Sequence, residues 1–142
     1  MTTSRCRVTK NETVSIETAV TRINFDYIYF DTNDEWDGVT NFRFTAKNAG
    51  YYLVNLTGSI DFVDCAGIQS FIYVNGVKCC SSPVSDLRSS INENVITSNV
   101  TMLMYLNIGE YVEAYIACIT NSDNLNIDDC NTTMTIIGLD PE

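Results

Sequence analysis

Gly50-Tyr51-Tyr52-Leu53-Val54-Asn55-Leu56-Thr57-Gly58-Ser59-Ile60-Asp61-Phe62 is the stretch that decides the fold. Tyr52, Val54, Leu56, Gly58, Ile60 and Phe62 occupy every second position, so they line one face of an extended strand. The other face opens with Tyr51 and Leu53 and then turns polar through Asn55, Thr57, Ser59 and Asp61. The first face is core. The second is solvated along most of its length but apolar where it begins.

The same period of two recurs on either side. Ile68 to Val74 alternates and stops at Asn75-Gly76, a tight-turn pair, with Val77 to Cys80 as a short return strand. Val100 to Leu106 is a third long strand. It turns at Asn107-Ile108-Gly109-Glu110 into Tyr111 to Ile119, where Val112, Ala114, Ile116 and Cys118 share a face. Thr132 to Leu139 closes the chain. Upstream, Tyr27 to Phe30 and Phe42 to Thr45 flank a loop from Asp31 to Asn41, and Arg5 to Val8 and Val14 to Ile16 read as short strands. Ser81 to Asn94, which carries Pro83, and the acidic Asn121 to Asp129 read as loops. Nine or ten strands with no helical period predict an all-β sandwich or jelly roll.

A chain of 142 residues suits one domain, placed here at 4–140. The net charge of -10, from 8 basic and 18 acidic residues, repels phosphate backbones, so nucleic acid is not an expected partner. No apolar run reaches the roughly 18 residues that a spanning helix needs, so membrane insertion is not expected. Met1-Thr2-Thr3-Ser4-Arg5 lacks the apolar stretch of a signal peptide, as a trimmed chain would, or a virion protein released by lysis.

Six cysteines are many for this length. With no Cys-x-x-Cys pair and no histidine, a structural zinc site is not expected. The cysteines are either disulfide partners in an oxidising setting or small buried apolar residues. Cys118 and Cys130 flank the acidic loop and form one candidate pair. Cys65 with Cys79 or Cys80, across the Asn75-Gly76 hairpin, is the other; the vicinal Cys79-Cys80 are expected to take separate partners.

Three ordered segments resemble one family. They are Trp36-Asp37-Gly38-Val39-Thr40-Asn41-Phe42-Arg43-Phe44-Thr45-Ala46 followed by Ala49-Gly50-Tyr51-Tyr52; Met102-Leu103-Met104-Tyr105-Leu106-Asn107-Ile108-Gly109-Glu110-Tyr111-Val112; and Thr132-Thr133-Met134-Thr135-Ile136-Ile137-Gly138-Leu139. Asp31-Thr32 after Tyr29-Phe30 adds to them. Together they resemble the globular head of complement component one, subcomponent q, with tumour necrosis factor as a distant cousin. The resemblance implies a ten-stranded jelly roll that assembles as a homotrimer. The residues agree: Tyr51, Leu53, Leu103 and Tyr105 sit on the second face of long strands, where a monomer prefers polar side chains and a partner subunit would bury them.

No enzyme activity is expected. Without histidine, general acid/base and triad chemistry have few means, and the cluster Asp31, Asp34, Glu35 and Asp37 lies in a turn-rich loop. No cofactor is expected, calcium being the one ion whose oxygen-ligand chemistry the acidic loops suit; the metal itself is left unassigned. Binding on a rigid β scaffold usually lives in loops. The candidate ligand-binding residues are therefore Asp31, Asp34, Glu35 and Asp37, then Asp86 and Glu93, then Asp123, Asp128 and Asp129, in loops placed at the end distal to the termini. The leading reading is a non-enzymatic trimeric binding head for a protein or glycan, at an extracellular, cell-surface or virion location. Two others stand beside it: a structural trimerising knob of a phage or virion fibre or a spore or cell-surface filament, and a tumour-necrosis-factor-like receptor ligand.

Overall fold

The computed structural model describes residues 3–11, 15–16, 20–61, 67–86, 95–118, 125–127 and 132–139. They hold fourteen strands and no helix. These are β1 (Arg5–Thr9), β2 (Ser15–Ile16), β3 (Thr21–Arg22), β4 (Tyr27–Asp31), β5 (Trp36–Asp37), β6 (Arg43–Thr45), β7 (Gly50–Asp61), β8 (Gly67–Val74), β9 (Val77–Ser81), β10 (Ser85–Asp86), β11 (Val95–Leu106), β12 (Tyr111–Cys118), β13 (Leu125–Ile127) and β14 (Thr133–Leu139). Four of them, β2, β3, β5 and β10, are only two residues long.

The strands form two antiparallel sheets. One runs β4-β1-β14-β7 with β11 on the far side of β7, and β13 and β2 extend it beside β7. The other is built on the β8–β12 pair, with β9 and β10 along β8, and β6, β3 and β5 beyond β12. Two expectations change. The strand expected at Val100 begins at Val95, because Val95 to Asn99 pair with Asp61 to Thr57 of β7. The acidic loop contains β13, which pairs with Ile60 and Asp61.

The alternation read in β7 holds for the core face: Tyr52, Val54 and Leu56 are buried between the sheets with Phe25, Phe44, Ile72, Leu106 and Ile116. Ser59, expected on the solvated face, is instead fully buried. Its backbone N–H donates to Thr132 Oγ1 at 3.0 Å, and that hydroxyl donates back to Ser59 O at 2.9 Å. Across the core, Ser70 and Ser98 share a hydrogen bond between their hydroxyls, both buried.

Gly58 lies on the core face of β7, close against side chains of the other sheet. A Cβ there would lie 2.7 Å from Ser70 Oγ and 2.8 Å from Ile116 Cδ1. A single methyl therefore has to displace the Ser70 hydroxyl and the end of the Ile116 side chain. Gly58→Ala is expected to destabilise by about 1–3 kcal/mol, the usual cost of overpacking. Urea melts at fixed protein concentration check this, and an unchanged midpoint would show that those side chains move aside without cost.

Lys10 is a charged residue in the interior, 5% exposed. Its ammonium donates to Asp26 Oδ2 at 2.7 Å, and the Asn11 N–H donates to Asp26 Oδ1 at 2.7 Å. Burial alone pushes the Asp26 carboxyl up, but these hydrogen bonds and the Lys10 charge outweigh it and hold it below the usual range.

Candidate functional site

The register of the β7 sheet makes the sequence-predicted interface residues into one block. Leu103 of β11 faces Leu53 of β7, which faces Ile137 of β14. One step further along, Tyr105 faces Tyr51, which faces Leu139. These are two cross-strand rows of three apolar side chains, and Leu103, Tyr105 and Tyr51 are each more than half exposed. The Tyr51 and Tyr105 rings meet edge to face, centroids 5.2 Å apart. Reading the sequence found Tyr51, Leu53, Leu103 and Tyr105 but missed Ile137 and Leu139. The signal was there: Met134, Ile136 and Gly138 alternate with them, and the first two are buried.

Toward the other end the same face turns polar. Asn55 Nδ2 donates to Thr101 Oγ1 at 2.6 Å and Asn99 Nδ2 to Thr57 Oγ1 at 2.8 Å. These amides satisfy one another along the strand pair and lie level on the sheet. On the edge strand, Tyr29 receives the Arg7 guanidinium 5.0 Å above its ring, and Tyr27 packs edge-on against Tyr29.

The outer face of the second sheet is built differently. Arg43 covers Tyr111 at 4.0 Å from the ring centroid, Lys78 covers Phe71 at 5.5 Å, and Tyr73 packs on Tyr115 at 4.1 Å. Those aromatics are half-buried or buried, Tyr111 and Phe71 beneath a cation and Tyr73 and Tyr115 against each other. Val77 of β9 is exposed on the second sheet by itself, whereas the β7 sheet leaves a contiguous group of large apolar side chains uncovered.

The acidic cluster is placed by turns. Asp31 Oδ2 accepts from the Trp36 N–H at 2.7 Å. Asp37 accepts from the N–H groups of Val39, Thr40 and Asn41 at 3.0, 3.0 and 3.1 Å. Those backbone hydrogen bonds hold its carboxyl down at about 2. Glu35, 3% exposed, accepts from the Lys47 N–H at 3.0 Å. Three of the four carboxylates thus serve the chain's own backbone, and only Asp34 stands fully in solvent. Asp34, Glu35, Trp36 and Asp37 border a depression of about 400 Å³ with Thr45 and Lys47.

The cluster is also not at the expected end. Thr32 N–H donates to Arg5 O and Gly138 N–H to Ser4 O, so Asp31 to Asp37 sits beside the first and last strands. Asp86 lies at the opposite end, on β10 against Gly67. Glu93, Asp123, Asp128 and Asp129 lie outside the described residues. The acidic residues grouped in the sequence are therefore divided between opposite ends. Among the described residues no three carboxylate or thiol side chains converge to hold a metal ion.

Cys6, Cys79 and Cys80 are free thiols. The cross-link expected from Cys65 to Cys79 or Cys80 is therefore not made; both lie on β9, where their sulfurs have other neighbours. Cys118 is disulfide-bonded. Cys65 and Cys130 lie outside the described residues. Burial, with Asp31 and Glu35 nearby, pushes the Cys6 thiol far above its usual range, so it is an inert core residue.

An all-β sandwich of two antiparallel sheets in this order is the jelly roll of the tumour necrosis factor and complement-head class. No family model matches the chain, and no curated protein matches it in sequence. Solved structures do. Murine APRIL, crystallised at pH 5.0, superposes with a TM-score of 0.72 at 11% identity, over 97% of this chain and 100% of that one. The globular domain of zebrafish complement 1qA protein gives 0.71 at 15%, over 98% and 99%. Eiger TNF from S. frugiperda gives 0.71 at 9%, over 100% and 96%. Identities this low carry the fold across and leave function to be argued from the site. Among the described residues no helix is long and apolar enough to cross a membrane.

Proposed function

We propose that the chain is a non-enzymatic binding head that works as a homotrimer outside the cell or on a virion or cell surface. The observation that carries this is the six-residue apolar block of Leu103, Leu53, Ile137, Tyr105, Tyr51 and Leu139, uncovered on a sheet whose opposite face is core. A second and third copy burying that block would remove it from water, as the resemblance to the complement head implies. The partner is a protein or glycan, met by the loops left outside the assembly. The loops Ser81 to Asn94 and Asn121 to Asp129 are preferred for that contact over Asp31 to Asp37, where three of the four carboxylates already accept from the chain's own backbone N–H groups.

Light scattering on the purified chain tests the assembly. Three chains of 15.9 kDa give 47.7 kDa, and that is the expected mass at micromolar concentration. A mass of 15.9 kDa would overturn the trimer and leave a lone sandwich.

A further inference from the structure

At the open edge of the sandwich, β9 of one sheet comes up against β11 of the other. The pairing of β9 with β8 slips there: Tyr73 faces Lys78, but Ile72 faces Cys80, so Cys79 is an extra residue in a bulge. In a regular strand Cys79 and Cys80 would point to opposite faces. The bulge breaks that alternation. The Cys79 thiol reaches across to the other sheet and donates to Met102 Sδ at 3.6 Å. Cys80, next in the chain, packs against the edge of the same core, as Met102 does. Bulges at sheet edges commonly re-aim a side chain in this way.

We propose that Cys79, Cys80 and Met102 form a binding site for one monovalent soft metal ion, with Cu(I) as the ion of that class. The donor set points to this chemistry. Two thiols and a thioether are soft ligands, the combination that selects Cu(I) over harder ions. Structural zinc takes four ligands, usually with imidazole or more thiolates, and the chain has no histidine. The geometry supports the pair Cys79 and Met102, whose sulfurs are 3.6 Å apart, within the roughly 4.6 Å that two metal–sulfur bonds of about 2.3 Å bridge, and Cys80 follows in the chain at the edge of the same core. Met102 is half-buried and Cys79 exposed, so the site has a dry side and an entry.

Binding replaces two S–H bonds with two metal–thiolate bonds and releases two protons. An ordinary thiol holds its proton near neutral pH and must lose it to bind a metal ion. Affinity is therefore expected to rise with pH.

The test uses the full chain under anaerobic conditions, with Cu(I) supplied as its coloured bathocuproine disulfonate complex and ascorbate as reductant, which leaves the Cys118 disulfide alone. One Cu(I) per chain should leave the chelator, and X-ray absorption should show sulfur scatterers only. C79S and C80S should each weaken binding by roughly tenfold or more, at least what loss of an outer-shell partner costs in other metal sites. M102L keeps the side-chain volume and should weaken it by less, while removing one sulfur from the absorption spectrum. No withdrawal of Cu(I) from the chelator overturns the site. So does binding unchanged in C79S and C80S, nitrogen or oxygen scatterers in the spectrum, or equal affinity for Zn(II). Circular dichroism of each variant separates loss of the site from loss of the fold.

Discussion

Leu103→Asp should turn a 47.7 kDa assembly into a 15.9 kDa chain at micromolar concentration while leaving the strand signal in circular dichroism intact. Leu103 sits at the end of the Leu103–Leu53–Ile137 row and is 54% exposed in the single chain, so an aspartate there is solvated before assembly. In the trimer the same aspartate must leave water. The change removes about 1.5–3 kcal/mol of apolar burial per chain and adds several kcal/mol for an unpaired buried carboxylate. Symmetry applies that cost three times, in an assembly that already carries three times a net charge of -10. Val39→Asp is the control. Val39 is the most exposed of the large apolar residues, in the turn held by Asp37 and off the block. Its variant should keep the assembled mass. If both variants stay trimeric, the apolar block is not the interface.

Asp26→Ala should cost about 1.5–3 kcal/mol, less than breaking a fully enclosed ion pair because Asp26 itself reaches solvent. The asymmetry of the pair makes the prediction specific. The Lys10 side chain is 6% exposed and the Asp26 side chain 26%. Removing the carboxylate strands an ammonium in the interior and frees the Asn11 N–H as well. Removing the ammonium, in Lys10→Met, leaves a carboxylate that still reaches water and still accepts from Asn11, so its cost should be clearly smaller. The pH dependence has a fixed sign. The Asp26 carboxyl is held below its ordinary 3.8 in the folded chain. Its contribution is therefore complete above about pH 4 and is lost as pH falls through the lowered folded value. The gap in stability between the native chain and Asp26→Ala should narrow over that acid range. Urea unfolding at equal protein concentration reads both effects. Equal losses in the two variants would mean that Lys10 is less enclosed than the fold indicates.

Much of this was legible in the chain. Alternation over Gly50 to Phe62, Ile68 to Val74, Val100 to Leu106 and Tyr111 to Ile119 specified strands because side chains on a strand point to opposite faces at every step, whatever their partners. The turn at Asn75-Gly76 was equally readable: both residues take positive φ, 51° and 78°, which asparagine and glycine tolerate best. Tyr51, Leu53, Leu103 and Tyr105 could be named as misplaced on a solvated face from the same period. So could the unlikeliness of histidine chemistry, since the chain has none.

Register and layer packing were not readable, because both are set by residues far apart in the sequence. Nothing local places Ile137 beside Leu53, and only the β14–β7 pairing completes the apolar block. Ser59 was assigned to solvent by its neighbours in the strand and buried by Thr132, 73 positions away. Asp31 to Asp37 resembled a ligand loop by charge, yet its carboxylates cap backbone N–H groups beside the terminal strands. Cys79 met Met102 through a one-residue slip between β8 and β9. The sequence by itself determined which residues prefer an interior, since that depends on side-chain chemistry and a period of two. Tertiary structure alone decided which of them would share one, since that depends on hydrogen-bond register between strands and on how closely two sheets can approach.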